Sequence, residues 1–274
     1  MPELPEVEIV KRGLDPVLSG NKILSCVLNR PNLRYPFGEE FKSIVENQKV
    51  SSQERRGKYI LIHLDNGYSM IWHLGMSGRV KIFDHADDYA PEKHDHVVFG
   101  FESGACVAFN DARRFGFLKL VKSDKWAQEV HFLKMGPEPL GNHFNGEILA
   151  QALRGKSSSI KQALLDQRVV AGVGNIYACE ALYMARIHPE KAAGKISKPK
   201  IEELARAIRE VLQTAIEAGG SSLKDYKHTD GSLGYFQHMF NVYNREGKSC
   251  PVCLENGANE CSVARIVQGG RSTF

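Results

Sequence analysis

The spacing of apolar residues in this chain changes near residue 136. From about residue 23 to 121 they fall in short runs rich in β-branched and aromatic side chains: Tyr59–Leu64, Tyr68–Leu74, Arg79–Phe83, His96–Phe101, Ala105–Asn110 and Phe117–Val121. Runs of this length and composition read as strands. Asp65-Asn66-Gly67 separates two of them and reads as a hairpin turn. Past residue 145 the apolar positions recur every three to four residues instead, which predicts helices over roughly 145–153, 159–166, 175–185 and 198–217. The last is the clearest, with Ile201, Leu204, Ala205, Ile208, Val211, Leu212 and Ala215 on one stripe. Gly136-Pro137-Glu138-Pro139-Leu140-Gly141 stands between the two patterns as a linker. The expectation is an α+β chain, with an N-terminal antiparallel β-sandwich followed by a helical domain.

A separate helix is expected to flank the sandwich. Leu4, Val7, Val10, Leu14 and Leu18 share one face. Pro5 suits the first turn, and Glu6 and Glu8 suit the positive end of the helix dipole. Asp15-Pro16 is expected to kink or end this helix, with Gly20 as a stop. The domain reading is 1–135 for the sandwich, 136–144 for the linker, 145–225 for the helices and 226–274 for a polar loop and a cysteine-containing tail.

Composition narrows the function. No apolar run is long enough to cross a bilayer, and Glu3, Glu6 and Glu8 are unlike the basic start of a signal peptide. A cytosolic protein is expected. The 36 basic against 32 acidic residues permit nucleic-acid binding without requiring it. Cys26, Cys106 and Cys179 sit in apolar stretches and read as buried thiols. Cys250, Cys253 and Cys261 crowd into the tail, where a metal is the expected use.

Pro2 follows Met1, and removal of the initiator is expected before so small a residue. The product is a chain that begins with a secondary amine. An α-amino group titrates near pH 8, so a useful fraction is unprotonated at neutral pH. Such an amine can attack a sugar C1′ and form an iminium, with Glu3 beside it as general acid or base.

The run Pro2-Glu3-Leu4-Pro5-Glu6-Val7-Glu8 resembles the start of the formamidopyrimidine-DNA glycosylases. The resemblance continues in order through Arg55-Arg56-Gly57-Lys58-Tyr59, His73-Leu74-Gly75-Met76-Ser77-Gly78, Lys93-His94-Asp95-His96 and Asp111-Ala112-Arg113-Arg114-Phe115-Gly116. It runs on through Gly136-Pro137-Glu138-Pro139-Leu140, through residues 166–178 and through Gly234-Tyr235-Phe236-Gln237. It implies a bacterial, cytoplasmic and nucleoid-associated monomer acting on double-stranded DNA with oxidised bases. The implied activity is that of a bifunctional glycosylase and abasic-site lyase acting on 8-oxoguanine and formamidopyrimidines. A lesion-binding protein with impaired turnover, or a glycosylase preferring oxidised pyrimidines, are the alternatives.

The resemblance also assigns roles. Pro2 is the implied nucleophile, Glu3 the proton donor and Lys58 the proton shuttle of the first elimination. Extrusion of the nucleotide leaves a hole that side chains must fill, and Met76, Arg113 and Phe115 are the implied fillers, expected to be exposed on turns. His94, Arg114, Lys156 and Asn175 are implied phosphate contacts, with His73 close to the lesion. Gly172-Val173-Gly174-Asn175 has its own argument, because glycines admit an anion and Asn175 is expected to cap the following helix. The family's helix–two-turns–helix motif falls here. The loop 221–234 is expected to order over a flipped base.

The tail departs from the pattern. Cys250-Pro251-Val252-Cys253 supplies one pair of a zinc finger, and a second pair is expected after Phe274, with Cys261 as a third ligand. A truncated finger, weak zinc binding and reduced DNA affinity are therefore expected. Arg271, in Gly270-Arg271-Ser272-Thr273-Phe274, is the implied phosphate-binding arginine of the second elimination.

Overall fold

The structure is a computed structural model describing residues 2–221, 234–257 and 261–274. It divides into two compact units: Met1–Leu133 with Gly219–Tyr235, and Lys134–Ala218 with Phe236–Phe274. In chain order the first unit holds α1 (Leu4–Leu18), β1 (Ile23–Leu28), α2 (Phe41–Val45), β2 (Val50–Arg56), β3 (Tyr59–Leu64), β4 (Tyr68–His73), β5 (Arg79–Phe83), β6 (Asp95–Phe101), β7 (Cys106–Asn110) and β8 (Phe117–Lys122).

Its strands form two four-stranded antiparallel sheets, ordered β1-β6-β7-β5 and β2-β3-β4-β8. Alternate residues of both sheets meet in one core: Ile60 and Ile62 of β3, Met70 and Trp72 of β4, Val97 and Phe99 of β6, Val107 and Phe109 of β7. This is the period-two pattern of a sandwich. Trp72 is fully buried and meets Phe109 edge-on at 5.3 Å.

The apolar face of α1 closes the core with Val7, Val10, Leu14 and Leu18. The helix runs through Pro16 to Leu18, so the early end expected at Asp15-Pro16 is corrected. Proline here lies in the last turn, where one lost backbone bond is offset by burial of Leu14 and Leu18. The Ser19 N–H still reaches the Asp15 carbonyl at 3.0 Å.

The second unit holds α3 (Gly146–Leu153), α4 (Ile160–Leu165), α5 (Asn175–Met184), α6 (Lys198–Glu217), α7 (Pro251–Glu255), β9 (Ile266–Gln268) and β10 (Arg271–Thr273). The stripe read on α6 is buried throughout. Residues 136–144 pack within this unit: Gly136 N–H donates to the Gln167 carbonyl, and Arg209 donates to the carbonyls of Gly141 and Phe144, both at 2.7 Å.

Candidate DNA-processing site

Pro2 and Glu3 are both buried at the start of α1. Glu3 is the N-cap and closes a reciprocal capping box with Glu6. In it the Glu3 N–H donates to Glu6 Oε2 at 2.9 Å. The other Glu6 oxygen accepts the N–H and hydroxyl of Ser221, each at 2.9 Å. Glu6 therefore ties the chain start to the root of the loop that begins at Ser221. From its place in the sequence alone Glu6 had only a helix-dipole role. The rest of that loop, including Thr229-Asp230-Gly231, lies outside the described residues.

Lys58 sits in the two-residue turn between β2 and β3, where Arg56 pairs with Tyr59. Gly57 takes φ of 57° and opens the turn. Arg55 anchors this turn to α1: its Nε donates to Glu8 Oε2 at 2.9 Å and its guanidinium to the Gly57 carbonyl at 3.0 Å. Glu8 is lowered below the usual carboxylate range, the bonds and charges of Arg55 and Arg12 overcoming the opposing effect of burial. The helix that carries Pro2 and Glu3 and the turn that carries Lys58 are thus fixed to each other.

His73 ends β4. Its Nδ1 accepts the Gly75 N–H at 3.1 Å, which places the ring proton on Nε2. Its ring stacks against Phe117 at 5.5 Å and lies 4.7 Å from Tyr59. Burial, with the charges of Lys58, Arg34 and His131, lowers His73 to about 4. It is a neutral donor at physiological pH. Between pH 6.5 and about 4 the unfolded chain takes a proton that folded His73 refuses, so stability falls as pH falls through this window. In urea melts at pH 7 and pH 4.5, wild type should lose on the order of 2–3 kcal/mol more than His73→Asn, which keeps an acceptor and does not titrate. Equal losses would contradict the assignment.

Met76 and Phe115 are 37% and 44% exposed. The Arg113 guanidinium lies 4.9 Å from the Phe115 ring centroid. A Cβ on Gly75, whose φ is +67°, would lie 2.3 Å from the Gly116 nitrogen, so the two turns touch backbone to backbone. Arg114 is exposed and holds φ of 58°, an unfavourable conformation for a side-chain-bearing residue. His94 is half-buried, and its carbonyl accepts the Asp111 N–H at 3.0 Å.

The second unit brings a separate set together. α4 and α5 are joined by two turns stapled by Gln167, whose side chain accepts the Gly172 N–H at 2.7 Å and donates to the Val173 carbonyl at 2.9 Å. The N-cap of α5 is Gly174, which corrects the capping role expected of Asn175. Asn175 is the first helical residue, and its side chain donates to the Ser272 carbonyl at 3.0 Å. Its Oδ1 is buried without a partner. Lys161 is fully buried and donates to the same carbonyl at 2.9 Å and to Thr273 Oγ1. These bonds fix the β9–β10 hairpin, on which Arg271 is exposed. Lys156 pairs loosely with Asp166 at 3.9 Å.

Lys161 and Glu180 were missed by the sequence reading. Glu180, fully buried, accepts N–H groups from Asn241, Val242 and Tyr243 at 2.8–3.0 Å. The signal was present, since each is a charge among apolar helical neighbours and must therefore find partners.

Cys26, Cys106 and Cys179 are buried as read. The ligand atoms of Cys250, Cys253 and Cys261 lie within 4.8 Å of one another. The Tyr183 hydroxyl, 3.5 Å from Cys250 Sγ, together with backbone N–H groups lowers that thiol to about 7. Three convergent sulfurs fit three of the four positions of a tetrahedral zinc.

Two family models match the chain: the formamidopyrimidine-DNA glycosylase N-terminal domain over residues 1–118 and the H2TH domain of the same enzymes over residues 135–227. The formamidopyrimidine-DNA glycosylase of Dinoroseobacter shibae is 50% identical over 282 residues, covering 100% of this chain and 98% of the relative. The chain belongs to the formamidopyrimidine-DNA glycosylase family. The enzyme of Cereibacter sphaeroides strain KD131 is 51% identical, again over 100% of this chain and 98% of the relative. Among solved structures, a mutant of the Lactococcus lactis glycosylase in complex with Fapy-dG containing DNA superposes with a TM-score of 0.89 at 35% identity, covering 99% of this chain and 97% of that one. The Thermus thermophilus glycosylase superposes with a TM-score of 0.86 at 36% identity, covering 99% and 96%. The α+β sandwich-plus-helical fold and the resemblance stated from the motifs both hold.

Proposed function

We propose that this base-excision-repair DNA glycosylase removes oxidised purines and cuts the strand at the resulting abasic site by β,δ-elimination. The observation that carries the reading is a buried Pro2-Glu3 pair held at the head of α1 by Glu6. Once Met1 is removed, the Pro2 nitrogen is a secondary amine. It bonds to C1′ of the extruded nucleotide as the base–sugar bond breaks, while Glu3 protonates the sugar ring oxygen as the ring opens. The iminium acidifies C2′, and Lys58 shuttles the proton of the first elimination, which expels the 3′ phosphate. A second elimination expels the 5′ phosphate, which Arg271 binds. Met76, Arg113 and Phe115 fill the vacated stack, and His73, His94, Arg114, Lys156 and Asn175 hold phosphates or the lesion nucleotide.

The partner is double-stranded DNA carrying an oxidised base; the Lactococcus lactis neighbours were solved with Fapy-dG and abasic-site DNA. No helix among the described residues is long and apolar enough to cross a membrane, and a cytoplasmic, nucleoid-associated monomer is the proposed setting. A structural zinc held by Cys250, Cys253 and Cys261 would brace the hairpin that carries Arg271; it supplies rigidity and takes no part in bond-making. Cys261→Ser should lower the zinc content of the purified protein, read by metal analysis; unchanged content would remove Cys261 from the set.

Paired duplexes test the substrate. Nicking of an 8-oxoguanine duplex should exceed that of a thymine-glycol duplex by at least about tenfold. The reverse order would assign the chain to oxidised pyrimidines, and tight binding without nicking would leave it a lesion binder.

A further inference from the structure

We infer that Asp111 is the positioning residue of the wedge: its carboxylate locks the Met76 turn to the Arg113–Phe115 loop and so sets the rate at which a damaged nucleotide leaves the stack. The inference rests on the wedge roles proposed above for Met76, Arg113 and Phe115.

Topology gives the first argument. The segment 74–78 leads from β4 to β5, and the segment 111–116 leads from β7 to β8. β4 and β8 belong to one sheet, β5 and β7 to the other. Both segments are therefore crossovers between sheets, outside either hydrogen-bonded ladder. The ladders do not fix their geometry, so something else must.

That something is Asp111, which is fully buried. Its Oδ1 accepts the Ser77 hydroxyl at 2.6 Å and the Arg113 N–H at 3.3 Å, and its Oδ2 accepts the Gly116 N–H at 2.8 Å. The Ser77 oxygen in turn accepts the Arg113 N–H at 3.1 Å. One carboxylate thus holds the residue after Met76, the backbone of Arg113 and the residue after Phe115. Its own backbone is pinned as well, since the Asp111 carbonyl accepts His96 Nε2 at 2.8 Å and the Arg114 N–H at 3.3 Å. No salt bridge to Asp111 is formed among the described residues. The buried charge is stabilised by fixed dipoles and a hydroxyl, all drawn from the two crossovers. A wedge inserted into stacked bases must arrive as one rigid piece, because ordering loose loops at that moment opposes insertion.

The test separates extrusion from chemistry. Asp111→Asn keeps the size but turns an N–H₂ toward groups that are themselves donors. Ser77→Ala removes one bond and leaves the bonds to Gly116 and Arg113. With 2-aminopurine beside an 8-oxoguanine, single-turnover fluorescence reads extrusion. Asp111→Asn should slow it roughly ten- to hundredfold and Ser77→Ala roughly three- to tenfold. Scission of a single-stranded abasic oligonucleotide, which has no stack to open, should change by less than about threefold in both. Extrusion at the wild-type rate in both variants, or equal slowing on both substrates, would overturn the inference. Should Asp111→Asn fail to fold, Ser77→Ala decides by the same two readings. Met76→Ala keeps the two failures apart. No effect on extrusion would bring down the wedge reading and this inference with it. A slowed Met76→Ala beside unaffected Asp111 and Ser77 variants would overturn this inference alone.

Discussion

With a lysine inserted between Met1 and Pro2 to block initiator removal, strand cleavage of an oxidised-purine duplex should fall by at least roughly a thousandfold. Behind another residue the proline nitrogen is a tertiary amide with neither a proton nor an available lone pair. It cannot add to C1′. The burial of Pro2 at the head of α1 makes the effect larger than loss of nucleophilicity alone, because an added residue must also be accommodated there. Binding to the same duplex should weaken far less, since phosphate contacts supply most affinity. Single-turnover gel assays beside binding titrations at fixed salt check both halves. Near-normal cleavage by the extended chain would remove Pro2 from the mechanism.

Glu3→Gln should cost about 10²- to 10⁴-fold in base release while leaving the fold almost unchanged. The capping box separates the two roles. A glutamine oxygen still accepts the backbone N–H of the first turn, and the Glu3 N–H still donates to Glu6 at 2.9 Å. Helix capping is therefore kept to within about 1 kcal/mol, whereas the proton that opens the sugar is lost. Glu3→Ala should lose both activity and some thermal stability. Stopped single-turnover assays with melting curves of the two variants distinguish them. If Glu3→Gln were fully active, Glu3 would be a cap and nothing more.

The parts of the fold legible in the sequence were those with a clean pattern. β3 and β4 are short, nearly continuous runs of β-branched and aromatic residues, α6 carries apolar residues at every third-to-fourth place, and all three appear where those patterns put them. β2 is absent from those runs because Val50 is its only buried residue. It is held by its antiparallel ladder with β3 and by polar bonds to α1 from far away in sequence, Gln53 to Asp15 at 2.8 Å and Arg55 to Glu8 at 2.9 Å. No local pattern encodes such partners. The same reason hid the persistence of α1 past Pro16, which depends on the core beneath Leu18.

The candidate site divides similarly. The head of α1 beside Pro2 and Glu3 and the exposure of Met76 and Phe115 on turns were readable from the motif. The supports were not: Glu6 on Ser221, Arg55 on the Lys58 turn, Lys161 on the Arg271 hairpin and Asp111 between two crossovers all depend on contacts that the spacing of apolar residues does not record. Asn175 shows the limit within a motif. Its type suits a cap, but the preceding Gly174 takes that place, and the side chain turns to the Ser272 carbonyl instead.

Borohydride reduction during turnover, followed by peptide mass mapping, addresses the nucleophile itself. The sugar fragment should lie on the peptide whose first residue is Pro2, bonded through its nitrogen, in a protein lacking Met1. An adduct on Lys58 or any other lysine, with the Pro2 peptide unmodified, would contradict the account.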